Sequence, residues 1–100
     1  MRQHGQTWRS GQLSLNRLPN HLGHNRYGFI VSKRVGKAVV RNRVKRRLRA
    51  LVHSRIDKHR PGYDIVIIAR TAAARASYQT LGQALAQLEK RAGLVVIDNE

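Results

Sequence analysis

The residues with the clearest chemical potential form a basic stretch between Gly36 and Arg49. Within nine positions it carries six cations, separated by apolar residues at helical spacing: Arg41, Arg43, Lys45, Arg46, Arg47 and Arg49. A guanidinium group can form two parallel hydrogen bonds with a phosphate and can stack on a base. Because these charges share one sign, neighbours four positions apart repel each other instead of pairing. The stretch therefore indicates a surface that binds a polyanion, with RNA or DNA as the first candidate.

The composition of the whole chain supports the same class of partner. Twenty Lys and Arg against five Asp and Glu give a net charge of +15 over 100 residues. Such an imbalance points to nucleic acid first and to an anionic membrane second. Fifteen of the twenty cations are arginine, which favours nucleic acid. There is no cysteine and no apolar run of membrane-spanning length, so we expect a soluble, cytoplasmic protein without membrane contact.

Catalysis by the protein itself is poorly supported. The five carboxylates are scattered, and no two of them lie together with a histidine: Asp57, Asp64, Glu89, Asp98 and Glu100. A protein nuclease would need paired carboxylates or a metal cluster. The Gly36-Lys37 pair lacks the earlier glycine and the following Ser or Thr of a phosphate-binding loop. We expect no catalytic residue and no cofactor or metal bound by the protein.

The first third of the chain contains two predicted strands. Residues 1–11 are polar and show no periodicity, so we expect an irregular segment there. Residues 12–18 alternate between apolar and polar side chains, which predicts a short strand. After several turn-forming residues, residues 26–32 predict a second strand with Tyr27 and Phe29 on one face. We expect the two strands to pair as a hairpin.

The middle of the chain predicts the basic helix and a third strand. Residues 38–58 have apolar positions that gather on one side of a helical wheel: Val40, Val44, Leu48, Leu51 and Val52. Residues 63–69 form an unbroken apolar run of strand length between turn residues. Such a run is typical of a central strand covered on both faces.

The last third predicts a second helix. Ser77 is a suitable N-cap, the helix extends to Ala92, and Gly93 occupies the position of a C-terminal cap glycine. Residues 94–97 predict either a short terminal strand or a tail. The order of strand, strand, helix, strand and helix predicts one α+β domain over residues 1–100, a two-layer sandwich of a small central β-sheet and helices.

Residues 32–49 resemble the signature of the bacterial ribonuclease P protein subunit. They run Ser-Lys-Arg-Val-Gly-Lys-Ala-Val-Val-Arg-Asn-Arg-Val-Lys-Arg-Arg-Leu-Arg, and the Arg-Asn-Arg at 41–43 followed by Lys-Arg is the specific core. Residues 61–70 resemble the next strand of that family, and residues 91–94 resemble its C-terminus. The resemblance covers residues 5–94 and leaves 95–100 as a tail.

The resemblance implies a fold and a function. The fold would be the ribonuclease P protein fold, in which the strand–helix–strand crossover is left-handed, against the usual rule. The family's subunit binds a large catalytic RNA, and the holoenzyme removes the 5′ leader from precursor tRNA. The RNA and its bound Mg²⁺ perform the hydrolysis. The implied partners are therefore the catalytic RNA subunit and precursor tRNA.

The resemblance also assigns site residues by position. The implied contacts with the catalytic RNA lie on the basic helix and the preceding loop: Lys33, Arg34, Lys37, Arg41, Asn42, Arg43, Lys45, Arg46, Arg47 and Arg49. The family binds the leader in a cleft between the sheet and an N-terminal helix, and its strand positions fall near Ser14 and Asn16 here. Tyr27, at the start of the second strand, is either a core residue or a third leader contact. This sequence begins where that helix would end. We therefore expect the N-terminal helix to be missing, with Met1 an internal methionine of a longer protein.

Two other functions stay open at this point. A ribosomal or nucleoid protein could use the same basic helix, but it would not stimulate tRNA processing by the catalytic RNA. A protein-only nuclease would be active without any RNA subunit, and the scattered carboxylates argue against it.

Overall fold

A computed structural model describes residues 5–95, which form a four-stranded sheet with two helices on one of its faces. The sheet order is β1-β2-β4-β3. Only the β3–β4 pair is parallel; β1–β2 and β2–β4 are antiparallel. The strands are β1 (Gln6–Arg9), β2 (Leu13–Pro19), β3 (Arg26–Ile30) and β4 (Tyr63–Ala69).

The helical elements follow the predicted order. They are α1 (Ala38–Arg55), a 3₁₀ turn (Ile56–Lys58), a second 3₁₀ turn (Thr71–Arg75) and α2 (Tyr78–Arg91). The predicted helix over 38–58 thus ends as an α-helix at Arg55 and tightens into the first 3₁₀ turn. The N-cap prediction is confirmed, because Ser77 Oγ accepts a hydrogen bond from Thr80 N at 3.0 Å. Gly93 takes a φ of 70°, as a C-terminal cap glycine does.

One hydrophobic core lies between the helices and the sheet. The apolar stripe of α1 is buried as predicted, through Val44, Leu48, Leu51 and Val52. From α2 come Leu81, Leu85 and Leu88, and the sheet contributes Leu13, Leu15, Ile65 and Ile67. This two-layer arrangement confirms the predicted α+β class. The β3–α1–β4 connection joins neighbouring parallel strands; its left-handedness stays a prediction.

The prediction of an irregular segment over residues 1–11 is wrong for Gln6–Arg9, which forms the edge strand β1. Because β1 is mostly polar, its sequence shows no strand pattern. In the structure, however, the Trp8 side chain packs against the core. The Arg17 guanidinium carbon lies 5.3 Å from the Trp8 ring centroid and 4.6 Å from that of Tyr63. Arg17 also donates to Ala92 O, so cation–π contacts and a helix-end hydrogen bond hold β1 in place. Residues 1–4 lie outside the described residues.

The predicted hairpin between the first two strands is also wrong, because β4 lies between β2 and β3. The connection between these strands is bound to the start of β4. Asn20 N donates to Gly62 O at 2.9 Å, and Asn25 Oδ1 accepts from Tyr63 N at 2.8 Å. The most apolar strand thereby gains hydrogen-bonded neighbours on both edges, which a local hairpin would not provide.

The third correction concerns β4, which was predicted to be covered on both faces. Its burial alternates: Ile65, Ile67 and Ala69 are buried under the helices. Val66 and Ile68 are on the opposite face, where they stay partly exposed. An unbroken apolar run therefore marks a central position in this sheet, but both helices pack on the same side of it within residues 5–95.

The C-terminal residues Leu94 and Val95 are bonded to the residues that follow the first 3₁₀ turn. Val95 forms an isolated antiparallel bridge with His59, and Arg60 N donates to Leu94 O at 2.7 Å. The prediction of a strand or tail over residues 94–97 extends beyond the described residues after Val95.

Candidate nucleic-acid interface

The loop between β3 and α1 is held in a tight turn. Val35 N donates to Ser32 O at 3.0 Å and Gly36 N to Lys33 O at 3.2 Å, while the Val35 side chain is buried. Gly36 has a φ of 156°, and a Cβ added there would lie 3.1 Å from two side-chain atoms of Val40. Glycine is therefore required where the backbone turns into α1. The turn leaves three cations exposed in front of the helix: Lys33, Arg34 and Lys37.

The first turn of α1 has no internal compensation for its positive end. Lys37 is the N-cap, it makes no side-chain capping hydrogen bond, and no acidic residue lies in the first turn. Free backbone N–H groups and the helix dipole attract anions at such an end. Cations of the loop and the free end of the helix thus add to one positive potential.

The predicted RNA contacts on α1 divide into two sets. One set is exposed or only partly buried and donates no hydrogen bond to another described residue through its side chain: Arg41, Asn42, Lys45, Arg46 and Arg49. Together with Lys33, Arg34 and Lys37 we call this set the basic surface. Arg43 and Arg47 behave differently, because they are bonded to the Thr71–Arg75 turn and to the residue that follows it. Arg43 Nη2 donates to Ala74 O and Arg47 Nη1 to Ala76 O, each at 3.2 Å.

The basic surface contains no ion pair within residues 5–95. The ion pairs of the described chain lie elsewhere: Arg26–Asp64 at 2.7 Å, Arg55–Glu89 at 2.7 Å and His59–Glu89 at 2.5 Å. Seven cations are therefore close together without a carboxylate to neutralise them. An external polyanion would therefore be attracted by all seven positive charges.

The three predicted leader positions do not lie together. Ser14 and Asn16 are two residues apart on β2 and share the face away from the helices, where Asn16 Nδ2 donates to Thr7 Oγ1 at 3.0 Å. Tyr27 pairs with the buried Ile65 and therefore lies on the helix side of the sheet. A single ligand on one sheet face could contact only the first two.

We call the helix-free side of the sheet the outer face. It carries the partly exposed Val66 and Ile68 of β4, together with Ile30, whose exposure is 50%. Arg26 forms its ion pair with Asp64 at this side, and the guanidinium lowers the pKa of that carboxyl to about 2. The outer face is an apolar strip with polar and charged groups at its border.

A buried polar network closes the other end of α1. Glu89 is almost completely buried and accepts hydrogen bonds from Arg55 Nε at 2.7 Å and from His59 Nε2 at 2.5 Å. His59 Nδ1 lies 2.8 Å from the Tyr27 hydroxyl, and Asn25 Nδ2 donates to that hydroxyl at 3.2 Å. Burial, with the nearby Glu89 charge adding to it, raises the pKa of Tyr27. This network assigns Tyr27 to the internal structure of the domain.

Sequence reasoning missed this network, although one signal was present. Glu89 follows Leu85 by four positions and Leu88 by one, so it lies in the apolar stripe of α2. A carboxylate in such a stripe must find a partner inside the protein.

Within residues 5–95 no three His, Cys, Asp or Glu side chains are grouped as a metal site. No helix among the same residues is long and apolar enough to cross a membrane.

The fold and the site define a class: a small α+β protein whose charge is concentrated on one helix and the loop before it. The sequence profile of the family described as Ribonuclease P matches residues 1–93. The chain is 45% identical over 96 residues to the ribonuclease P protein component of Roseiflexus castenholzii. The aligned region covers 95% of this chain and 79% of that protein. The corresponding protein of Clostridioides difficile is 37% identical over 94 residues, covering 93% and 82%. The chain belongs to the ribonuclease P protein family.

Solved structures of the family support the same assignment. The RNase P protein of Staphylococcus aureus superposes with a TM-score of 0.83 at 29% identity, covering 92% of this chain and 84% of that one. The RNase P protein of Thermotoga maritima gives a TM-score of 0.80 at 26% identity, covering 95% and 86%. The α+β fold is therefore that of a known structural family.

Proposed function

We propose that this chain binds the catalytic RNA of ribonuclease P and assists the removal of the 5′ leader from precursor tRNA in the cytoplasm. In this proposal the RNA, with its Mg²⁺, carries out the hydrolysis, and the protein binds and orients. The described residues offer no grouped metal ligands, so no step is assigned to a metal on the protein.

The basic surface is the observation that carries the proposal. Its cations lie within the family signature at residues 32–49, and none of them is paired with a carboxylate in the described chain. Each cation that contacts a phosphate releases condensed counterions, which favours binding. The same cations replace part of the Mg²⁺ that would otherwise neutralise the folded RNA. The protein should therefore matter most at low Mg²⁺.

The outer face is the proposed path of the leader. Asn16 supplies an accessible polar group beside the aliphatic Val66 and Ile68, while Ser14 borders the same strip but is only 7% exposed. A single strand can lay its bases against such a surface. Tyr27 has no part in this path, because it lies on the helix side and is bonded to His59. The proposal thus keeps two of the three candidate leader positions.

Cleavage of precursor tRNA by a bacterial ribonuclease P RNA tests the proposal. At low Mg²⁺ the chain should stimulate cleavage at the mature 5′ end, because its cations replace metal ions in neutralising the RNA. A matched Arg46→Ala/Arg49→Ala variant, altered only at exposed positions, should stimulate much less.

The alternatives give different results in the same assay. RNA binding without any stimulation would indicate a ribosomal or nucleoid protein instead. Cleavage by the protein in the absence of the RNA subunit would indicate a protein nuclease.

A further inference from the structure

A cleft separates the basic loop from the Thr71–Arg75 turn. Its volume is about 480 Å³, and it is lined by Arg34, Val35, Thr71, Ala72, Ala74 and Arg75. The turn lies outside residues 32–49, so the motif that carries the family resemblance does not include this wall. A volume of this size falls within the range of sites that hold a nucleotide-sized group.

The Thr71–Arg75 turn, which forms one wall of the cleft, is held in place by the core and by α1. Ala73 is fully buried in the core, and the carbonyls of Ala74 and Ala76 accept the hydrogen bonds from Arg43 and Arg47. A hydrogen bond from a charged donor is stronger than one between neutral groups. Two such bonds from neighbouring turns of α1 hold the segment at a set distance from the helix. The cleft is therefore built by the fold and does not depend on a mobile loop.

The chemistry of the cleft is that of an anion site. Arg34 and Arg75 are exposed on its two sides, and neither is paired with a carboxylate in the described chain. Arg43, which holds the wall, keeps its Nε buried without a hydrogen-bond partner. The remaining lining consists of small side chains, which let a ligand approach the backbone closely. Two guanidinium groups on opposite sides of a cleft can each bind an oxygen of one phosphate.

We propose that this cleft binds an RNA phosphate between Arg34 and Arg75, which extends the RNA-binding area from α1 onto the Thr71–Arg75 turn. This inference rests on the proposed function, because the cleft is continuous with the basic surface through Arg34. Arg75 is then an RNA contact that the motif does not reveal. Arg43 and Arg47 are positioning residues, which act by holding the wall that carries Arg75.

A pair of matched variants tests the cleft. Arg75→Ala removes an exposed arginine from it, and Arg60→Ala removes an exposed arginine from beyond the other end of α1. Affinities are measured by fluorescence anisotropy over a range of salt, separately for the catalytic RNA and for precursor tRNA. Arg75→Ala should weaken binding by roughly tenfold and reduce the salt slope by about 0.7–0.9. Arg60→Ala should change the affinity by at most about twofold, because salt screens distant charges.

The two RNAs identify where the phosphate comes from. A loss with the catalytic RNA alone places the phosphate there, and a loss with precursor tRNA alone places it on the substrate. Equal, small effects of Arg75→Ala and Arg60→Ala, with wild-type binding intact, would overturn the cleft and leave the proposed function standing. Failure of the wild-type chain to bind either RNA would overturn the proposed function and the cleft with it.

The positioning role has its own readout. In an Arg43→Ala/Arg47→Ala background the wall is no longer held, so adding Arg75→Ala should cost much less RNA affinity than it does in the wild type. If the loss caused by Arg75→Ala stayed the same in both backgrounds, Arg43 and Arg47 would have only a structural role.

Discussion

The two ends of α1 use the same residue type in opposite ways. From the first end of the helix as far as Arg49, the guanidinium groups of Arg41, Arg46 and Arg49 have no carboxylate partner within residues 5–95. At the second end, Arg55 is bonded to Glu89, which lies almost completely inside the protein and also accepts a bond from His59. One helix therefore carries two kinds of cation. Some remain available to an external anion, whereas Arg55 already forms an ion pair inside the protein. Residue type does not distinguish these uses; the position of the nearest acceptor does.

The largest expected effect is at the second end. Glu89→Ala would leave Arg55 and His59 without their shared acceptor, and breaking a buried pair costs about 3–5 kcal/mol. Urea denaturation should show this loss in the free energy of unfolding. Asp57→Ala is the matched control, because Asp57 is exposed and forms no ion pair in the described chain. Equal stability of the two variants would mean that the network does not hold the second end.

The next effect concerns the backbone at the first end. Gly36→Ala places a Cβ 3.1 Å from Val40 at a φ that other residues avoid, so we expect a loss of about 1–3 kcal/mol. Gly11→Ala is the control, since an added Cβ there has no atom within 4 Å. Thermal melting of both variants measures the difference. If Gly36→Ala melted like Gly11→Ala, the tight turn before α1 would not be required.

The two sides of α1 can be separated by a third pair of variants. Arg43→Ala loses a charged hydrogen bond to Ala74 O and should lower the free energy of unfolding by about 1.5 kcal/mol. Arg46 is exposed, so Arg46→Ala should leave the free energy of unfolding unchanged. The same substitution should weaken binding to the catalytic RNA by about 1–3 kcal/mol. Urea denaturation and an RNA titration on the same samples decide this. A loss of stability in Arg46→Ala would remove the distinction between the two sides.

The smallest effect belongs to the exposed ion pair on the outer face. Arg26 lowers the pKa of Asp64 to about 2, below its ordinary value near 4. The ion pair therefore contributes stability above pH 4, and this contribution is lost as the pH falls from about 4 to about 2. Asp64→Asn should remove this part of the acid dependence: the variant should be slightly less stable than the wild type above pH 4, and the difference should disappear near pH 2. An unchanged acid-unfolding curve would show that the pair is not formed in solution.

Local patterns predicted much of this fold. The apolar stripe from Val44 to Val52, the Ser77 cap and the apolar run of β4 each depend on neighbours within a few positions, and each was correct as an element. The basic stretch could be recognised because its six cations lie within nine positions of the sequence. Sequence alone therefore located the helix that presents the candidate site.

The features that sequence reasoning missed depend on distant contacts. β1 is short and polar, and it is held by Trp8 and by an arginine nine residues later. Tyr27 was correctly expected to share a face with Phe29, but only the strand order decides that this face is covered by helices. The acceptor of Arg43 lies 31 positions away, so no spacing rule could separate Arg43 from Arg46.

The salt dependence of binding to a bacterial ribonuclease P RNA tests the central claim most directly. If about five of the seven cations of the basic surface contact phosphates, the logarithm of the affinity should fall against the logarithm of salt with a slope of about −3.5 to −4.5. Arg46→Ala/Arg49→Ala should make this slope shallower by about 1.4–1.8. A flat salt response, or a slope that these substitutions leave unchanged, would contradict the role of the basic surface.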